Sequence, residues 1–269
     1  MKNVTIETEE QLELELSRPH PETVEQLRSV KGDFLVLGAG GKMGPTLCSL
    51  LKNASDAAGV GRRIFAVSRF SDPGVRDRLE NAGIRTIPAD LIDRAAYDGL
   101  PDATNVFFLA GMKFGASVQQ HMTWAMNTYV PALAAERWSG PEVRIVAFST
   151  GNVYPFIPVG SSGADEGTQP GPVGEYAMSC LGRERIFQHF SATRGTPTVI
   201  IRLNYANELR YGVLVDLAQK VLSAQRIDLS VGHVNVIWQG DAANFIARSL
   251  ALASSPAAVL NVAGPEILS

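Results

Sequence analysis

Cysteine is almost missing. The 269 residues hold two, Cys48 and Cys180, which excludes a disulfide scaffold and any CxxC metal or redox motif. Histidine is scarce as well: His20, His121, His189 and His233 lie far apart and form no HExxH-type pair, so no metal is expected. Basic charge is not in excess, since 24 Lys+Arg face 27 Asp+Glu for a net charge of −3. That balance gives no field to draw nucleic acid or an anionic membrane surface. No apolar run nears the roughly 18 residues of a membrane span. The opening stretch MKNVTIETEEQLELELSRPH carries acids where a signal peptide needs basic and then apolar residues, and the expected location is the cytoplasm.

What is present describes an ordinary globular protein: 45% hydrophobic residues, 25 Gly and 15 Pro. In residues 1–31 Thr8-Glu-Glu-Gln11 fits a capping box, and Pro21-Glu22 followed by Val24 and Leu27 fits a second short helix. Leu12, Leu14 and Leu16 alternate with Glu13 and Glu15, which suits a strand instead, so that stretch stays open between the two. From Asp33 the rhythm is regular. Short apolar runs at 34–37, 64–67, 84–87, 106–109, 143–148 and 197–201 alternate with helical stretches at 43–58, 73–82, 116–136 and 174–190. Continuous apolar strands alternating with helices predict an α/β fold, a doubly wound parallel sheet of Rossmann type covered on both faces. After Arg202 the pattern loosens into a helix near 213–223, a strand near 234–237, a helix over 241–253 and a last strand at 259–262. The expected organisation is an N-terminal extension (1–31), an NAD(P)-binding Rossmann domain (32–202) and a small substrate-binding portion (203–269). The Pro- and Gly-rich stretch 151–173 is a candidate substrate loop.

The first strand runs into Gly38-Ala-Gly-Gly41-Lys42-Met43-Gly44-Pro45 and then a helix. Glycines at 38, 41 and 44 allow a tight turn, close approach of a pyrophosphate and close helix packing, while the helix N-terminus offers free N–H groups and a positive dipole end. A Walker P-loop is excluded, because Met43 follows Lys42 and the glycine spacing is wrong. At the end of the second strand stands Arg69 rather than an acid. An acid there would hold a ribose 2′-hydroxyl, whereas an arginine can pair with a 2′-phosphate, so NADP is slightly favoured over NAD.

Seven segments in order resemble the extended short-chain dehydrogenase/reductase family, the NAD-dependent epimerases and dehydratases of sugars. They are the three glycines; Ala89-Asp90-Leu91; Phe108-Leu-Ala110-Gly111-Met-Lys113, similar to UDP-galactose 4-epimerase-like members; Met-Asn127-Thr-Tyr; Phe148-Ser-Thr150-Gly-Asn152-Val-Tyr154; Glu175-Tyr176-Ala-Met-Ser-Cys180; and Arg202-Leu-Asn204-Tyr205. The resemblance implies that Tyr176 is the acid/base and Thr150 the hydroxyl that polarises the substrate carbonyl; Lys113, placed after the fourth strand at the carboxyl end of the sheet, is a candidate catalytic cation. The resemblance implies cofactor contacts at the glycine turn (Gly38, Gly41, Lys42, Met43, Gly44), Arg69, Asp90, Leu91, Ala110, Gly111, Asn127 and Cys180. It implies substrate contacts at Asn152 and Asn204, and a homodimer built on the two long helices, with Met122, Trp124 or Phe187 as an apolar patch. His233, beside the strand near 234–237, is a further candidate substrate contact.

At one position the pattern breaks. The family carries Lys four residues after the tyrosine, one helical turn on, where its charge stabilises the phenolate; here the residue is Cys180. Three readings stay open: Lys113, Arg183 or Arg185 supplies the charge; the reaction uses a neutral tyrosine; or the domain binds cofactor without turnover. The expected activity is therefore an NAD(P)-dependent epimerase, dehydratase or reductase on a sugar-type substrate, the alternative being a non-catalytic NAD(P)-binding regulatory or scaffold protein. Relatives continue past Asn261-Val-Ala-Gly-Pro-Glu266 with more chain, so the substrate-binding portion is either reduced or cut short at Ser269.

Overall fold

The structure is a computed structural model that describes residues 5–113, 115 and 118–269. The start of the long helix expected near Ala116 lies outside the described residues. Seven parallel strands form the central sheet, most of them short apolar runs: β1 (Phe34–Leu37), β2 (Ile64–Ser68), β3 (Arg85–Pro88), β4 (Asn105–Phe108), β5 (Arg144–Thr150), β6 (Thr198–Leu203) and, after three minor strands are counted, β10 (Ala258–Val262). Their spatial order is β10-β6-β5-β4-β1-β2-β3. The chain works outward from β1 to one edge and then outward to the other, so β1 and β4 flank the switch point where a crevice opens at the carboxyl ends.

Both faces are buried, and strict alternation sorts the side chains between them. Phe34, Val36, Ile64, Ala66, Phe107, Val146 and Ile201 face one layer; Leu35, Leu37, Phe65, Val67, Val106, Phe108 and Ile200 face the other. The first layer holds α3 (Gly44–Ala57) and α9 (Gln239–Ser249), and the second holds α6 (Val130–Arg137) and α7 (Glu175–Arg194). Phe187 of α7, expected to stand exposed at a dimer patch, is 1% exposed and packs edge-on against Phe108 at 5.1 Å. Its helix turns that side chain onto the sheet, so it belongs to the core.

The N-terminal segment is two helices, α1 (Glu9–Leu16) and α2 (Pro21–Ser29). The Thr8 side chain caps α1 by accepting from the Gln11 N–H at 3.2 Å. Leu12 and Leu16, one turn apart, are buried while Leu14 is exposed, which is helical and not strand alternation. Both helices lie on the α3–α9 layer. Asn244 of α9 ties them down: its Oδ1 accepts from His20 N–H and the Thr23 hydroxyl, both at 2.8 Å, and its Nδ2 donates to Arg18 O at 3.0 Å. Buried Arg62 adds bonds to Gly32 O and Leu27 O at 2.8 and 3.1 Å.

Beyond β6 come β7 (Ala206–Asn207), α8 (Val213–Leu222), β8 (Val234–Asn235), β9 (Ile237–Trp238) and β11 (Ile267–Leu268). The single strand expected near 234–237 is split in two. β8 pairs antiparallel with β11 and β9 pairs parallel with β7, because Gly264 crosses so close to Val236 O that a Cβ there would stand 1.9 Å from it. The last strand joins β6 at the edge of the main sheet, and α9 covers that sheet, so part of 203–269 builds the central layers. Among the described residues no helix is long and apolar enough to cross a membrane, and no His/Cys/Asp/Glu group could hold a metal ion.

Candidate active site

A cleft of about 530 Å³ opens at the carboxyl ends of β1, β4, β5 and β6. Its floor is the turn after β1. Gly38 has φ 87°, and a Cβ there would stand 2.5 Å from Ala110 N, so the β1 and β4 turns touch through it. A Cβ at Gly44 would stand 2.2 Å from Ala39 O, so only glycine lets α3 start this close. Gly41 differs: a Cβ there would meet nothing nearer than Gly38 O at 3.4 Å. The space its missing side chain leaves opens into the cleft, which suits a group brought to the backbone at a helix N-terminus. A dinucleotide's pyrophosphate fits this cradle.

Lys42 reaches out of that turn across the cleft. Its Nζ donates to Ala206 O and lies 4.0 Å over the Tyr211 ring. Burial, together with nearby Lys113, pulls its pKa down to about 8 against the opposing pull of Glu208 and Asp216. Lys113 lines the same cleft, with Nζ 5.7 Å from the centre of the Tyr205 ring.

The 110–113 segment owes its shape to Asn127. Its Oδ1 accepts from Met112 N–H at 2.9 Å, and its Nδ2 donates to Met112 O at 3.0 Å and to Ser179 Oγ at 2.9 Å. Asn127 sits in a π turn (Ala125–Tyr129) between α5 (Gln120–Trp124) and α6. The extra residue of that turn sets it toward the cleft segment, a local device found often at functional sites.

β5 ends in Thr150, whose Oγ1 accepts from Asn152 N–H at 3.2 Å. Facing it from the first turn of α7 is Tyr176, whose hydroxyl is influenced by Thr150 and by Cys180 one turn along. Burial pushes the Tyr176 hydroxyl well above its ordinary value, and Cys180 adds to the rise; Arg183 and Thr150 pull the other way. Burial likewise raises the Cys180 thiol. Both groups are neutral at pH 7.

The cleft thus gathers Gly38, Gly41, Lys42, Met43, Gly44, Gly111, Lys113, Thr150, Asn152, Tyr176 and Asn204. Asn127 and Cys180 are buried behind its wall, and Ala110 is buried beneath Gly38. Leu91 is buried against the sheet, while Arg69 and Asp90 are exposed just past the ends of β2 and β3, outside the cleft lining. His233 is exposed ahead of β8 and does not line the cleft. Sequence reasoning passed over Tyr205, Asn207, Tyr211 and Asp216, which close the far side of the cleft. The loosened pattern after Arg202 hid the first turn of α8. Behind Thr150 lies a buried ion pair: Arg202 clasps Glu184 through bonds of 3.0 and 2.8 Å, and Ser149 donates to the same carboxylate at 2.6 Å.

The sequence profile of the NAD dependent epimerase/dehydratase family matches residues 34–212. No curated protein matches the chain by sequence. Among solved structures, UDP-glucuronic acid 4-epimerase from Bacillus cereus in complex with UDP-glucuronic acid and NAD is similar with a TM-score of 0.74 at 19% identity, over 88% of this chain and 79% of that one. A UDP-galactose 4-epimerase gives 0.69 at 17%, over 88% and 79%. The Bordetella bronchiseptica enzyme WbmG in complex with NAD and UDP gives 0.70 at 21%, over 89% and 75%. At these identities the likeness is one of fold.

Proposed function

This chain belongs to the NAD dependent epimerase/dehydratase family, and from that premise we propose that it is an NAD(P)-dependent epimerase, dehydratase or reductase of a sugar or sugar-derived substrate. The observation that carries the reading is the meeting of a glycine cradle and a Thr150–Tyr176 pair across one cleft. The cradle at Gly38, Gly41 and Gly44 with the first turn of α3 would hold the pyrophosphate, and Gly111 the nicotinamide half. When bound, the cofactor supplies a ring that accepts or returns a hydride. Tyr176 moves the proton of the substrate hydroxyl on the carbon that exchanges hydride, and Thr150 donates to its oxygen. A buried, neutral tyrosine is ready as a proton donor and needs help as an acceptor. Asn152 and Asn204, on the open side, are the proposed substrate contacts, and His233 stands outside this group. Two of the structural neighbours named above were crystallised with UDP-glucuronic acid or UDP, so a UDP-sugar is the first substrate to try.

The cofactor is NADP or NAD. Arg69, unpaired by any acid among the described residues and exposed past β2, supports NADP. Replacing Arg69 by Ala is expected to weaken NADP by about 1.5–3 kcal/mol, a charge-assisted hydrogen bond, and to leave NAD unchanged. Equal loss for both in calorimetry, or a clear native preference for NAD, removes the NADP assignment.

Turnover is tested on UDP-sugars, free sugars and sugar acids, reading nicotinamide absorbance and product configuration. Tyr176→Phe is expected to abolish turnover and to keep cofactor affinity. Full activity in that variant would overturn the tyrosine mechanism. The second reading, a cofactor-binding protein without turnover, draws on Cys180, a neutral group that raises Tyr176 where the family places a cation. Tight NAD or NADP binding with no product from any of these substrates favours it.

A further inference from the structure

Tyr176, Cys180 and Arg183 are spaced i, i+4 and i+7 along α7 and form one stripe toward the cleft. Helical side chains lean toward the helix N-terminus. The long Arg183 side chain, rooted one turn behind Cys180, is thereby carried back over the thiol toward the tyrosine. Arg183 lines the cleft although it is only 5% exposed. Nη1 donates to Phe148 O at 2.9 Å and Nη2 donates to Asn127 Oδ1, both neutral acceptors. Among the described residues no carboxylate lies within ion-pair distance of it. The neighbouring Glu184 is committed to Arg202 at 2.8 Å, and Arg183 Nε has no acceptor at all.

A buried cation without a counter-charge is costly, and folds keep one where an anion comes and goes. The groups that face Tyr176 are few. Cys180 and Arg183 come from its own helix and Thr150 from β5; Lys113 and Glu184 act on Cys180. Among the described residues whose charge acts on Tyr176, Arg183 is the positive one.

We propose that Arg183 is the positioning residue that holds positive charge beside Tyr176, in the role that a lysine at 180 fills in relatives, so that the tyrosine oxygen is steadied when it gives up its proton. The inference rests on the Tyr176 acid/base reading and names the group that makes it workable with Cys180 in place. The charge comes from three residues further along the helix, and the thiol serves as packing between the two.

The test is an ultraviolet titration of the NAD-loaded protein, with the Tyr176→Phe spectrum subtracted so that only the Tyr176 phenolate is read. Arg183→Gln keeps a donor for Phe148 O and removes the charge; it is expected to move the Tyr176 ionisation up by about one pH unit or more, a tenfold change. Arg183→Lys keeps the charge and is expected to restore the wild-type midpoint. Adding Cys180→Lys to Arg183→Gln is expected to bring the midpoint back down. Circular dichroism selects the variants that fold, and either single variant suffices. A midpoint unmoved in Arg183→Gln overturns the proposal, as does an Arg183→Lys midpoint that tracks Arg183→Gln. Where the wild-type ionisation lies above the readable pH range, the alkaline limb of turnover is read instead, and a limb unmoved in Arg183→Gln overturns the proposal as well. Failure of both NAD and NADP to bind would fell the proposed function itself, and full turnover in Tyr176→Phe would fell the mechanism. An unmoved midpoint with NAD bound fells this inference alone.

Discussion

At the scale of single residues, Lys42 links the cofactor turn to pH. Its pKa of about 8 lies below the ordinary lysine value because burial disfavours the charged form. Below about 8 the lysine is charged and ready to meet an anion, and the cost of burying that charge is fully present. As pH rises past 8 the proton leaves, the cost lifts and the attraction goes with it. A bound pyrophosphate favours the charged form, so binding takes up a proton on the alkaline side. NAD affinity measured by calorimetry is therefore expected to fall about tenfold from about pH 7 to about pH 10, the worth of a charge-assisted hydrogen bond. Lys42→Gln is expected to start weaker and stay nearly flat over that range. A wild-type affinity that does not change with pH would place Lys42 away from the phosphates. Cys180→Ala is a quiet change by comparison, since a neutral thiol loses only a little packing volume.

Among the elements, those with one strong local signal were legible and those settled by distant partners were not. Runs such as Phe34-Leu-Val-Leu37 read as strands because every side chain is buried on one face or the other. The α1 helix was ambiguous because its leucines alternate, and packing on α3 and α9 decides which of them are buried. The π turn at Asn127 had no local signal, because it exists to aim one amide at Met112. Arg183 was legible as a candidate but not as a cation acting on Tyr176, since that depends on how α7 rotates against β5. The stretch 151–173 was readable as an irregular loop. Its anchors come from far along the chain: Glu166 accepts from Asn261 N–H at 2.7 Å, and Tyr154 donates to Asn261 Oδ1 at 2.8 Å while accepting from Arg202 at 2.9 Å. Among the described residues Glu166 is held by this exposed bond, and it is not part of the core. Glu166→Ala is expected to leave thermal stability within about 0.5 kcal/mol and to speed protease cleavage within 156–170 several-fold. Unchanged cleavage would mean that the Tyr154 end alone holds the loop.

For the whole molecule the open question is what covers the helices that carry the site. α5, α6 and α7 form one layer on the sheet, and Trp124 donates across it to Glu175, so half of the expected apolar patch is already used inside the chain. With Phe187 in the core as well, the outward side is carried by Tyr129 and Met178, 45% and 46% exposed, beside half-buried Met122. A patch this size is tolerable on a monomer, but two copies related by a two-fold axis would bury it against itself. We propose that the chain is a homodimer through this face. The wild type is then expected to sediment as a dimer at micromolar concentration, and Met178→Glu as a monomer, because two carboxylates would meet across the axis. Met178 lies two residues from Tyr176 and on another side of α7 from the Tyr176–Cys180–Arg183 stripe, so the monomeric variant should still bind NAD in the glycine cradle. If the wild type sediments as a monomer, the exposed methionine and tyrosine are ordinary surface residues and the site is complete within one chain.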